Sequence, residues 1–303
     1  MWNDNRNNIF NAFLALYLKN LENNQELVSE LSSVVYHLDE ANSDQEAKRV
    51  VKRHMIKYPK LPNDHSMNLQ VENTGSKELF SFNELSCVNI EEVYTPEDIT
   101  CELRESIKKS KPNSVYTHPD LYLKLEYKGR ESFFEIELKS TKKNSIPGSS
   151  VQQIDPYGWV VFIKQGRTVK LTTGLYINSI TEKMQFPDRS PRPQVAFNTL
   201  SQWNDSNFKF KGDRYTLVFN TEEICAKQQV ITNWKQVLVS RWLEIIFAQD
   251  FTINSGSPWF TEAITLFAAQ LLDSYEKMTD IEKDIFRSRI QNALAKVHSD
   301  SFS

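Results

Sequence analysis

No stretch of this 303-residue chain approaches the ~20 consecutive apolar residues of a membrane-spanning helix, so no membrane partner is expected. Cysteine is scarce. Cys87, Cys101 and Cys225 are odd in number and far apart, which fits neither a disulfide framework nor a zinc site and suits reduced thiols in a cytoplasmic protein. The opening MWNDNRNNIFNAFLALYLKN lacks a basic leader and a small-residue cleavage site, so its apolar patch reads as a helix and not a signal peptide. The net charge of −3 gives no bulk attraction to nucleic acid, and any such binding must use local basic patches and a metal. There is no GxGxxG, no GxxxxGK[ST] and no GxSxG, which argues against a nucleotide cofactor and against serine-hydrolase chemistry. The five histidines show no HxxxH or HxH spacing for a histidine metal site.

What remains is an ordinary folded composition, 40% hydrophobic and 25% charged, long enough for one large domain or two smaller ones. Residues 1–60 carry helical periodicity, and the Asp44–Tyr58 segment ends at Pro59. Its Lys48, Arg49, Lys52 and Arg53 could meet phosphate or form a solvated face. Residues 60–95 read as loop and short strand. Pro96–Lys111 reads as a helix capped by Thr95 and stopped by Pro112. A short helix is expected to open at Ser149–Gln153. Gly158–Lys164 is a near-continuous apolar run, as in a strand buried on both faces, and Thr168–Ile177 and Tyr215–Phe219 continue in strand fashion. Residues 181–213 read as a long polar connection, and Glu222–Phe251, Pro258–Tyr275 and Asp280–Val297 as helices.

The informative stretch is Asp120–Lys139, DLYLKLEYKGRESFFEIELK. Successive side chains of a strand point to opposite faces. Leu121, Leu123 and Leu125 therefore share one face with Phe134, Ile136 and Leu138 of a second strand, joined through Lys128-Gly129-Arg130. The other face gathers Asp120, Glu135, Glu137 and Lys139. Carboxylates brought together repel, and a hard cation such as Mg²⁺ resolves the conflict, because it takes oxygen ligands while keeping several waters. A lysine beside it can orient or help deprotonate an attacking water, or stabilise charge on a phosphate. Metal, water and lysine together suit phosphodiester hydrolysis.

In these residues the chain resembles the PD-(D/E)xK nuclease superfamily: Pro119-Asp120, sixteen intervening residues, then Glu137-Leu138-Lys139. The resemblance covers about residues 115–165, and in size and layout it is most like a type II restriction endonuclease. It implies that Asp120 and Glu137 bind Mg²⁺ and that Lys139 serves the attacking water. An upstream helical acid often joins the metal in that family. Glu102 and Glu105 are the candidates here, Glu105 preferred, and Glu135 lies on the same face. Lys142, Lys143 and Asn144 follow where a phosphate backbone would pass. Gln152 and Gln153 could orient the lysine or hydrogen-bond an adenine.

The expectation is thus an α/β fold with a central mixed sheet of the PD-(D/E)xK type, as a single domain. Its catalytic core spans about 96–220, with helical regions at 1–60 and 221–300. The expected activity is Mg²⁺-dependent, sequence-specific cleavage of double-stranded DNA by a homodimer. The rivals are a repair or recombination nuclease of the same superfamily and a non-catalytic DNA- or protein-binding scaffold.

Overall fold

In the computed structural model the chain divides into two compact units, Met1–Trp234 and Lys235–Ser303. The structure describes residues 7–34, 40–62, 67–73, 76–110, 119–149, 155–185, 192–219, 221–247 and 258–300. The first unit opens with helices α1 (Asn8–Glu22), α2 (Gln25–Ser33) and α3 (Glu40–Lys57), followed by strands β1 (Asn68–Asn73) and β2 (Ser76–Phe80). Then come α4 (Phe82–Leu85), β3 (Asn89–Tyr94), α5 (Cys101–Ser110), β4 (Leu121–Tyr127), β5 (Arg130–Thr141), β6 (Ser145–Pro147), β7 (Trp159–Lys164) and β8 (Lys170–Leu175). The unit continues through α6 (Tyr176–Ser179), β9 (Ile180–Gln185), β10 (Arg192–Ala196), α7 (Phe197–Asn207), β11 (Phe208–Lys211), β12 (Arg214–Val218) and α8 (Thr221–Thr232).

The protein is mixed α/β. Its central sheet has the order β3-β4-β5-β7-β8, antiparallel except for the parallel β5–β7 pair. Hairpin β4–β5 turns on Lys128 and Gly129, whose φ values are 50° and 78°. Two consecutive positive φ angles mark a two-residue primed turn, the type whose twist matches the flanking strands. Arg130 already belongs to β5, paired with Tyr127. Strand β7 is buried along Trp159–Ile163, as its unbroken apolar run predicts. One face of the sheet meets the main core, in which α1 is buried almost all round, from Phe10 to Leu18. Glu22 ends α1 by accepting bonds from the Thr173 N–H of β8 (2.6 Å) and the Asn204 amide of α7 (3.4 Å).

The other sheet face is not simply solvated. Tyr122 and Phe133 are buried against Ile107 of α5, with Leu103 and Ile99 alongside, so a second small core covers part of the charged face. The predicted continuous helix from Pro96 is instead a single 3₁₀ turn, Pro96–Asp98, followed by α5. Ile99 is extended, and Thr100 starts the second helix by accepting the Leu103 N–H through its hydroxyl at 3.2 Å. The described residues of 181–213 are not a polar connection: β9 and β10 join β6 in a three-stranded sheet, and α7 packs Leu200 and Trp203 into the core. The prolines there misled the reading. Pro193 is accommodated beside a register irregularity, a place where a strand tolerates it. Strands β1, β2, β11 and β12 form a third, mixed sheet.

The expected Glu222–Phe251 helix breaks at Asn233, between α8 and α9 (Trp234–Phe247), and the unit division falls at the start of α9. Helices α10 (Pro258–Glu276) and α11 (Asp280–Asp300) complete the second unit. Thr279 and Glu282 cap α11 reciprocally, and the Tyr275 and Phe286 rings meet at 6.1 Å. Among the residues of this unit whose burial is described none is fully buried, and Phe247, Phe267 and Ile281 stand largely exposed. Among the described residues no helix is long and apolar enough to cross a membrane.

Candidate active site

Strand register gathers the motif. Leu121 pairs with Ile136, so one step further Asp120 faces Glu137 across the hairpin. The Asp120 carboxylate accepts the N–H of Leu138, the residue between Glu137 and Lys139, at 2.7 Å. Its second oxygen lies 2.5 Å from the ammonium of Lys48 on α3. Glu137 is also taken by a cation: its Oε1 lies 2.6 Å from Lys139 Nζ. The same oxygen accepts the Ser149 hydroxyl at 2.6 Å, and Lys139 donates to Ser149 Oγ at 3.0 Å. Glu137, Lys139 and Ser149 thus form a closed triangle beside Asp120.

A buried tyrosine fixes the third corner. The Ser149 N–H donates to Tyr176 Oη at 2.8 Å, and Tyr176 is completely enclosed. Gly148 makes that approach possible, because a Cβ there would stand 2.3 Å from Tyr176 Oη and 2.6 Å from the Pro193 carbonyl oxygen. Burial alone would lower the Lys139 amine, but the neighbouring Glu137, Tyr176 and Asp120 outweigh it and hold the ammonium above its ordinary range. Burial raises the Tyr176 phenol, opposed by the charge of Lys139. Lys139 is therefore a charged donor in this arrangement.

Beside the triangle lies a small cavity of about 20 Å³, lined by Pro119, Glu135, Glu137, Ser149, Asp155 and Trp159 among others. Such a volume accommodates about one water-sized species. Glu135 is buried opposite Tyr122, whose hydroxyl is raised by burial and by that carboxylate. Among the described residues no three histidine, cysteine or acidic side chains form a ready-made metal cage. Asp120 and Glu137 nonetheless suit Mg²⁺, which commonly takes one or two protein carboxylates and keeps its waters. Each of the two already faces a cationic group.

The structure brings Asp120, Glu137 and Lys139 together, with Glu135 lining the adjoining cavity. Glu105 is an exposed residue of α5 and joins no such cage. Lys142, Lys143 and Asn144 are exposed in the turn between β5 and β6. Lys164 holds the Asn144 side chain at 3.0 Å. Gln152 and Gln153 lie outside the described residues. Sequence reasoning missed four participants: Lys48 as the partner of Asp120, and Ser149, Asp155 and Tyr176. Lys48 had a local signal in the basic helix but none for its target. The chain matches no protein-family model and no curated protein.

Proposed function

We propose that the protein is a Mg²⁺-dependent endonuclease of the PD-(D/E)xK type that cuts double-stranded DNA at a specific sequence, as type II restriction enzymes do. One observation carries the reading. Asp120 is hydrogen-bonded to the backbone between Glu137 and Lys139, so the whole motif stands at one edge of hairpin β4–β5, with β7 parallel alongside. Asp120 and Glu137 would hold the metal, which supplies Lewis-acid activation of the scissile phosphate and of water. Lys139 donates a charged hydrogen bond, suited to orienting the attacking water or neutralising a phosphate oxygen. Ser149 fixes the Lys139 ammonium relative to Glu137.

The reading includes a homodimer, since cutting both strands at a palindromic site calls for two active sites related by a two-fold axis. Exposed apolar side chains of the second unit, Phe247, Phe267 and Ile281, favour such an association, which sedimentation would measure. The deciding experiment incubates the purified protein with unmethylated phage DNA and Mg²⁺. Discrete fragments, lost in Asp120→Asn and Lys139→Ala, are the expected result. End-dependent degradation would point to a repair nuclease, and no cleavage with Mg²⁺ or Mn²⁺ would remove the proposal.

A further inference from the structure

One face of α3 is not accounted for by packing. Ala47, Val50, Val51, His54 and Met55 bury the inner face, while Lys48, Arg49, Lys52 and Arg53 line an open cleft of about 470 Å³. The opposite wall is the Thr95–Asp98 turn. From Gln45 to Ile56 the lining follows helical spacing over about 16 Å, and its cationic part, Lys48 to Arg53, rises about 8 Å, the axial rise of about two nucleotides along one strand.

The four cations are not equivalent. Lys52 is taken by Asp98 at 2.6 Å, and Lys48 reaches out of the cleft to Asp120 at 2.5 Å. Among the described residues Arg49 and Arg53 pair with Glu46 (3.4 Å) and Glu30 (2.7 Å), and their side chains are 68% and 62% exposed. Pairs so exposed contribute little to stability and yield readily to a competing anion. Guanidinium groups present planar forks that match phosphate oxygens bidentately. The cleft thus has one cationic wall, the α3 face, opposite a wall that carries Glu97 and Asp98, and Lys48 of the cationic wall touches a carboxylate of the candidate active site.

We infer that this cleft seats the DNA sugar-phosphate backbone next to the scissile phosphate, with Arg49 and Arg53 as the phosphate contacts and Lys48 as the link to Asp120. The inference rests on the nuclease reading for its ligand but is tested without cleavage. A 30-base-pair duplex is titrated in Ca²⁺ over a range of salt with the wild type and with Arg49→Gln/Arg53→Gln. Lys209→Gln/Lys211→Gln on β11 removes equal charge from another exposed site. Loss of two phosphate contacts should flatten the slope of log K against log salt by about 1.8. Affinity at fixed salt should fall at least tenfold, with the circular dichroism spectrum unchanged and the β11 variant close to wild type.

An unchanged slope in the α3 variant would overturn the inference. So would an equal loss in the β11 variant, no DNA affinity in the wild type, or polyglutamate binding as tight as DNA, which would assign the cleft to acidic peptides. The two readings fail separately. Cleft-dependent binding without cleavage in Mg²⁺ or Mn²⁺ sinks the nuclease, whereas cleavage with normal binding by the α3 variant sinks the cleft.

Discussion

Gly148→Ala is the smallest change expected to disturb the candidate site, because the added methyl has nowhere to go. Its Cβ would meet Tyr176 Oη at 2.3 Å, the Pro193 carbonyl oxygen at 2.6 Å and Val195 Cγ1 at 3.2 Å. Tyr176 is fully enclosed and Pro193 is backbone of β10, so neither can swing aside as an exposed side chain would. Restoring van der Waals separation takes a displacement of about 1 Å. Overpacking of that kind costs about 1–3 kcal/mol. The same displacement stretches two hydrogen bonds, Gly148 N–H to Pro193 O (2.7 Å) and Ser149 N–H to Tyr176 Oη (2.8 Å). At about 1 kcal/mol each, the total loss is about 3–5 kcal/mol. For a unit of this size that is a fall in melting temperature of about 6–20 °C, measured by thermal and urea unfolding monitored by circular dichroism. Tyr176→Phe removes the shortest of these three contacts, so in that background the alanine should cost less. Wild-type unfolding of Gly148→Ala would refute the packing described between β6, β10 and α6.

Two further outcomes follow from burial. His54 is buried against Tyr58, and burial lowers its imidazole below the ordinary value, partly opposed by Glu26 and Glu30. The neutral form is therefore favoured on folding: stability is fully present above about pH 6.5 and falls as pH drops toward the folded-state value, by at most about 1.4 kcal/mol per pH unit. His54→Gln should flatten the dependence of urea midpoints between pH 7.5 and 5.5, and an unchanged dependence would refute it. Phe162, completely buried in β7 with its ring 6.0 Å from that of Phe197, should cost about 3–5 kcal/mol as Phe162→Ala in the same urea assay. A loss under 1 kcal/mol would mean that β7 is not buried in the core as described.

What could be read in advance was local and periodic. Alternation in β4 and β5 placed Asp120, Glu137 and Lys139 on one face, and the register of the hairpin agrees. The turn at Lys128-Gly129 and the buried β7 were equally legible, since each is fixed by residues next to one another. Reading failed where distant segments decide. Nothing in EAKRVVKRH says that one lysine will reach a carboxylate in the loop before β4, and SIPGSS does not announce that its serine will bridge a glutamate and a lysine. Strands β9 and β10 were hidden by Pro187, Pro191 and Pro193 of the sequence. The break at Ile99–Thr100 was hidden because Thr95 and Thr100 are both good helix starts, and the chain uses each.

The charge balance of the site determines how its variants must be read. Asp120 and Glu137 each hold a lysine within 2.6 Å, and all four side chains are under 25% exposed. Removing one member of a half-buried pair strands the other, which costs stability whatever the chemistry. A dead Asp120→Ala protein would therefore say little by itself, since it loses the charge, the Lys48 partner and the acceptor of the Leu138 N–H together. Asp120→Asn keeps that acceptor and the volume while removing the charge, so its loss of cleavage at normal stability speaks to chemistry. The same balance ties α3 to the motif. If Asp120 is to take a metal, Lys48 must let go of it, and the groove of Arg49 and Arg53 is where an ammonium so released finds the next negative charge when DNA is present.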